Sequence, residues 1–220
     1  MTPALRKWLF ETLYKNRYLY RFASTVPFAG QWRVWQRQVL PYIAGHDVLE
    51  LGCGLGDLLA DMLKAGYCCR AIERSPQMVA AARNTLRRRK VGQAEWIIQG
   101  CAQQLPFSDA SFDTVVSTFP SNYIYDSSTI AEVARVLRPG GRLIVIEGAK
   151  LLSLGLLQPF LLLAHMLVYG PSAVFGTGTQ RTATQEVPRS FIPLRQHGLQ
   201  PHFEHICSQR WEVYMTIGER

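Results

Sequence analysis

The residues best placed to do chemistry form a glycine loop, Glu50-Leu51-Gly52-Cys53-Gly54-Leu55-Gly56, between an apolar run and a helical stretch. Glycines at alternate positions remove the β-carbons that would keep a ligand away from the backbone, and they permit positive φ. The unpaired amides opening the next helix suit a negative group. A backbone-lined site for a nucleotide-like ligand follows. Spacing narrows the ligand, because the dinucleotide fingerprint G-x-G-x-x-G needs glycine at position 57 and the chain has Asp57 there. An acid repels a pyrophosphate but tolerates a zwitterionic amino-acid moiety. The Tyr-x-x-x-Lys pair of short-chain dehydrogenases is also absent. Glu73 ends the second expected strand, seventeen residues beyond Gly56. Rossmann-type sites place there a carboxylate that accepts both ribose hydroxyls and disfavours a 2'-phosphate.

Such a loop must be positioned by a parallel sheet, and from residue 46 short apolar runs alternate with longer helical stretches as a sheet covered on both faces requires. Strands are expected at Asp47 to Leu51, Cys68 to Glu73, Glu95 to Gln99, Asp113 to Thr118 and Arg142 to Glu147. Helices are expected at Asp57 to Ala65, Pro76 to Arg89 and Thr129 to Leu137, with Gly66 and Pro139-Gly140-Gly141 as stops. A short helix and two more strands, near Leu199 to Ile206 and Trp211 to Ile217, complete the chain. Ahead of the first strand lie an amphipathic basic helix over 4 to 22 and a shorter helix from Gln31 to Leu40, halted by Pro41. The domain organisation expected is an N-terminal helical lid, 1–45, and a Rossmann-like domain, 46–220, with an apolar insertion at 151–180.

The 220 residues allow one α/β domain with appendages, and 48% apolar content excludes disordered and fibrous classes. The net charge of +8 is concentrated early: seven basic residues precede position 41 against one acid, Glu11. The run Arg87-Arg88-Arg89-Lys90 ends a helix, where cations complement the dipole and face water. Five cysteines without a C-x-x-C pair, and no secretory leader, lead us to expect a reducing, cytoplasmic location. Cys68 and Cys69 are adjacent in a strand and read as core filler on opposite faces. His197, His202, His205 and Cys207 match no standard ligand spacing, so no metal is expected. The stretch 151–180 lacks charged side chains and is long enough to span a bilayer. One sheet must contain the strands on either side of it, so a lid or buried insertion is expected, with a shallow membrane contact as the alternative.

Four motifs in order carry a resemblance: Val48-Leu49-Glu50-Leu51-Gly52-Cys53-Gly54-Leu55-Gly56; Ala71-Ile72-Glu73-Arg74-Ser75-Pro76-Gln77-Met78; Leu105-Pro106-Phe107 with Ser111-Phe112-Asp113; and Arg135-Val136-Leu137-Arg138-Pro139-Gly140-Gly141. Over about 46 to 148 the chain resembles class I S-adenosylmethionine-dependent methyltransferases, in the methyltransferase type 11 group related to ubiquinone and menaquinone biosynthesis enzymes. The resemblance implies a doubly wound seven-stranded sheet of order 3-2-1-4-5-7-6 with one antiparallel strand. It implies S-adenosylmethionine as cofactor and S-adenosylhomocysteine as product. By position, Glu50, Gly52, Cys53, Gly54 and Gly56 would hold the methionine part and Glu73 the ribose. Arg74, Met78, Cys101 and Ala102 would border the adenine, and Thr118 and Phe119 would follow the fourth strand. Where the family usually has an acid the chain has Cys101, which leaves the adenine amino group to backbone contacts from Ala102.

Methyl transfer from a sulfonium is an in-line displacement with a neutral leaving group, so the protein mainly aligns and desolvates the reactants. A hydroxyl or thiol acceptor must also lose a proton, and candidates to take it are Tyr123, Tyr125, Asp126, Glu147 and His165. The run Thr118-Phe119-Pro120-Ser121-Asn122-Tyr123 stands where nucleic-acid amino-methyltransferases carry Asn/Asp-Pro-Pro-Tyr, but only one proline aligns. Trp8, Tyr14, Tyr18, Tyr20, Phe119 and Tyr123, with the apolar run 151–168, would wall the acceptor site. A small lipophilic or aromatic acceptor is therefore expected, taken from a membrane surface by the basic helix. The competing readings are an RNA-modifying methyltransferase and a non-catalytic cofactor-binding module. No RNA-binding module is recognisable, which argues against nucleic acid.

Overall fold

In the computed structural model the residues described are Arg21, Val26, Phe28, 30–152 and 191–220. Strands β1 (Asp47–Leu51), β2 (Cys68–Glu73), β3 (Ile97–Gln99), β4 (Phe112–Thr118) and β5 (Leu137–Leu151) run parallel. They are joined by α2 (Asp57–Lys64), α3 (Pro76–Arg89) and α4 (Ser127–Val136), and preceded by α1 (Trp32–Gln36). After α5 (Phe191–Gln196), β6 (Gln200–Cys207) and β7 (Trp211–Glu219) close the sheet, β7 antiparallel to both its neighbours. The order is β3-β2-β1-β4-β5-β7-β6, the doubly wound arrangement expected. It reverses between β1 and β4, so their carboxyl ends open the crevice where ligands bind in such sheets.

Burial on both faces explains why the central strands are continuous apolar runs. Alternate residues of β1 feed different layers: Val48 joins Leu58, Met62 and Val79, whereas Leu49 and Leu51 join Ile130 and Val133. Helix α3 begins where expected because Pro76 fits its first turn and the Ser75 hydroxyl accepts from the Met78 amide. It ends at Lys90 in the left-handed conformation.

Several expected boundaries move, each for a local reason. Strand β5 starts at Leu137, so Pro139-Gly140-Gly141 lies within a bulged strand entry rather than stopping a helix. A β-carbon on Gly141 would lie 2.9 Å from the carbonyl oxygens of Arg138 and Asp113. Ala94–Trp96 forms a 3-10 turn and shortens β3. Pro41 does not halt the early helix, which tightens after Gln36 into a 3-10 segment, Arg37–Tyr42, that contains it. Cys68 and Cys69 do face opposite ways, but only Cys69 enters the core. Arg89 turns inward to pair with Asp57 and Asp61 instead of facing water.

Two of the motifs prove to be clips that tie separate segments together. Arg138 bridges Asp47 and Asp113 at 2.8 and 2.7 Å. Asp113 also accepts from the His46 and Asp47 amides. Burial works against ionisation of Asp113, but those amides and Arg138 outweigh it and hold the carboxyl below its usual value. Arg135 donates to Glu132, Asp109 and the carbonyls of Leu105 and Phe107, which pins the Leu105-Pro106-Phe107 turn. Among the described residues no helix is long and apolar enough to cross a membrane. The helix expected over 4 to 22 (save Arg21), with Trp8, Tyr14, Tyr18 and Tyr20, lies outside the described residues. So do His165 and all of the 151–180 insertion beyond Leu152.

Candidate functional site

The loop between β1 and α2 is built by its glycines in three different ways. Gly52, Gly54 and Gly56 all have positive φ, at 73°, 52° and 72°. A β-carbon on Gly52 would come within 2.8 Å of the Tyr123 hydroxyl, and one on Gly56 within 2.9 Å of the Ala82 β-carbon. Gly56 is thus needed for packing against α3. The Gly54 amide does not stand free, since it donates to Glu73 Oε2 at 3.0 Å. The Ser75 amide donates to Glu73 Oε1 at 2.9 Å. Two backbone donors orient this carboxylate at the end of β2, and each oxygen keeps acceptor capacity for a ligand hydroxyl.

Glu50 lies on the adjacent strand, 1% exposed, and its Oε2 has no hydrogen-bond partner among the described residues. Burial, then the nearby charge of Glu73, pushes its carboxyl up to about 8. A buried carboxylate left this way calls for a cation or a donor. Burial, then the nearby carboxyls of Glu50 and Glu73, raises the Cys53 thiol well above its ordinary value, so this buried cysteine stays a neutral thiol. Asp57, by contrast, is compensated by Arg89 and by Arg21 at 3.4 Å. Its charge therefore discriminates between ligands less than its position in the motif suggests.

The remaining expected residues differ in burial and contacts. Met78 is fully buried with Leu55 and Ala81 beneath it, and Arg74 is exposed. Ala102 is buried and Cys101 exposed. Thr118 Oγ1 accepts from Gln36 Nε2 at 3.0 Å, tying the segment before β1 to the end of β4. Phe119 has φ 51°, a costly conformation for an aromatic residue. Its amide donates to the Ile146 carbonyl at 2.8 Å, and its ring lies 4.2 Å from that of Trp32. Trp35 and Phe28 extend this cluster.

Tyr123 points its hydroxyl back to Ser117 and the Leu51 carbonyl, each at 3.4 Å. Tyr125 donates to Glu147 Oε1 at 2.7 Å, and the Thr216 hydroxyl donates to the same oxygen. Asp126 sits apart, exposed, accepting from Gln103 at 3.2 Å. Spacing did not reveal Gln36, Ser117 or Thr216; Gln36 stands beside two tryptophans, but the other two carry no local signal. A cleft of about 220 Å³ opens between the early segment and the loop, lined by Trp32, Arg33, Gln36, Leu55 and Asp57 among others. Arg33 reaches Asp61 with two nitrogens, and that hydrogen-bonded pairing raises its already high basicity.

A doubly wound sheet of this order, with a glycine loop at its switch point and acidic side chains near the ends of β1 and β2, is the arrangement that the resemblance to class I methyltransferases implied. More particularly, residues 49–145 match the family described as Methyltransferase domain. The chain is similar to a demethylmenaquinone methyltransferase of Corynebacterium glutamicum, 36% identical over 143 residues, which are 63% of this chain and 57% of the relative. It thus spans less than two thirds of the relative's length. In fold it is similar to a Methanococcus maripaludis protein described as an S-adenosyl-L-methionine-dependent methyltransferase. That TM-score is 0.63 at 19% identity, covering 92% of this chain and 91% of the other. It also resembles geranyl diphosphate C-methyltransferase of Streptomyces coelicolor, with TM-score 0.58, 10% identity and 85% and 78% coverage. That structure holds Mg2+, geranyl diphosphate and S-adenosyl-L-homocysteine.

Proposed function

We propose that the protein transfers a methyl group from S-adenosylmethionine to a small lipophilic or aromatic acceptor, a quinol-type ring being the first candidate. The observation that carries this reading is the pair of buried carboxyls around the loop. Glu73 presents two oriented oxygens suited to ribose hydroxyls, and the unpartnered Glu50 oxygen suits an ammonium. Both demands are met by the amino-acid nucleoside that the relatives' class uses. In our reading Gly52, Cys53 and Gly56 shape the backbone around the methionine end, and the cleft of about 220 Å³ receives part of it. Arg74, Cys101 and Ala102 border the adenine, with Met78 packed beneath, and Thr118 and Phe119 hold the wall next to it.

When bound, the sulfonium supplies an electrophilic methyl group and leaves as a neutral thioether. What this chain does is align and dry the reactants. Phe119, caged by Trp32, and Tyr123, hydrogen-bonded at the end of β1, form an aromatic wall that excludes water. Glu147 is the base we favour for the acceptor proton, because Tyr125 and Thr216 both orient it on β5, next to the residue that pairs with the end of β4. The early segment, 1–45, acts as a cap, and the basic residues within it bring the protein to an anionic membrane surface. The relatives named demethylmenaquinone methyltransferase favour a quinol over other aromatic acceptors.

Calorimetry tests the cofactor: S-adenosylmethionine and S-adenosylhomocysteine should bind, and Glu73→Ala should weaken both at least tenfold, as expected for a charged hydrogen bond of about 1.5–3 kcal/mol. Tight NADH binding with none to the sulfonium would overturn the reading. Incubation with methyl-labelled cofactor and separate quinol, lipid, RNA and polar fractions then identifies the acceptor. Label in RNA alone would refute the lipophilic assignment.

A further inference from the structure

We propose that the free end of the β6–β7 hairpin binds a borderline divalent transition-metal ion, zinc(II) or a close congener, through His205, Cys207 and Glu212. The site is separate from the glycine loop and does not depend on the proposed transfer. His205 and Cys207 are two residues apart on one strand and therefore share a face. Glu212 is the direct cross-strand partner of Cys207, and Tyr214 that of His205. All four side chains thus rise from the same side of the sheet at its outer edge.

The ligand atoms of the three lie within 4.8 Å of one another. Cys207 Sγ is 3.5 Å from His205 Nε2, and that nitrogen is 3.7 Å from Glu212 Oε2. A tetrahedral ion with arms of about 2.0–2.3 Å needs ligand atoms roughly 3.3–3.8 Å apart. Two of the separations already meet it. The donor set selects the metal, since imidazole nitrogen and thiolate sulfur suit zinc-like ions and not magnesium or calcium, which take oxygen.

The supports of such a site are present as well. Tyr214 donates its hydroxyl to Glu212 Oε2 at 2.6 Å, and its ring stacks on His205 with centroids 4.8 Å apart and planes 14° from parallel. Outer groups of this kind fix ligand orientation. The Ser208 amide donates to the Trp211 carbonyl at 2.8 Å and closes the turn that joins Cys207 to Glu212. Binding forms the sulfur–metal bond as the Cys207 thiol proton leaves to solvent, with water in the fourth position. The ion acts as a clamp on the hairpin. Sequence spacing hid the set because its third member comes from the neighbouring strand.

The test uses the full chain, reduced and metal-free, titrated with cobalt(II) and followed by absorption. One equivalent should give a thiolate-to-cobalt charge-transfer band with four-coordinate visible bands, displaced by zinc(II), and zinc(II) should raise Tm. Cys207→Ser should abolish the charge-transfer band, and Glu212→Gln should weaken binding at least tenfold. Cys68→Ser, at another exposed thiol, should leave the band unchanged. No saturable band, or an unchanged band in Cys207→Ser, overturns the proposal. X-ray absorption of the zinc-loaded wild type decides independently of any variant's folding. A first shell with one sulfur is expected, and one without sulfur overturns the site.

Discussion

Glu50 concentrates the physics of the site in one carboxyl. Its value in the folded chain is raised from 4.5 to about 8, chiefly by burial. Between those values the folded state binds more protons than the unfolded state, so this group's contribution to stability is full below about 4.5 and falls until pH passes about 8. Glu50→Gln should therefore raise the Tm of the ligand-free protein at pH 8, with the gain fading as pH approaches 4.5. At this chain length each kcal/mol corresponds to about 2–4 °C. The same variant should bind S-adenosylhomocysteine at least tenfold more weakly, since it loses the charge that meets the ammonium. Calorimetry across the pH range, with and without ligand, checks both. The orphaned oxygen is invisible in sequence, where resemblance alone put Glu50 at the methionine end. Asp57 teaches the converse: its type is legible, but its pairing partner Arg89 lies 32 residues away, at the end of α3.

Among the elements, the β1–α2 connection is under the tightest constraint, because Gly56 must be left-handed and also touch α3. Gly56→Ala should combine left-handed strain of about 1–2 kcal/mol with overpacking of about 1–3 kcal/mol. Gly140 has a similar φ of 79° but open space around it. Gly140→Ala should therefore cost only the strain, about 1–2 kcal/mol. Urea unfolding of the two variants separates the terms; equal costs would show that the Ala82 contact is unimportant. Element types were legible because strand and helix periodicities differ. Boundaries such as that of β5 were not, because Leu137 pairs with Phe112 in a bulge that no local pattern records.

For the whole molecule, the early segment docks on the end of β4 through Trp32 against Phe119 and Gln36 against Thr118. Trp32→Ala should remove an aromatic pairing of about 0.5–1.5 kcal/mol and some burial, lowering Tm by a few degrees. If the cap walls the acceptor site, the variant's KM for a quinol acceptor should rise severalfold while cofactor affinity changes less. Equal losses in both would place Trp32 on the cofactor side instead. By itself the sequence determined the alternating sheet architecture, the loop, the carboxylate that ends β2 and the resemblance these carry. All of these depend on residue types at short, regular spacing, and backbone geometry turns such spacing into position. Only the tertiary structure decided which carboxyl is left unpaired, which arginines neutralise Asp57, how Phe119 is caged and that Glu212 joins His205 and Cys207. Most of those pairings join strands and helices far apart in the chain, Glu212 meets its partners across a hairpin, and all are set by sheet register and packing.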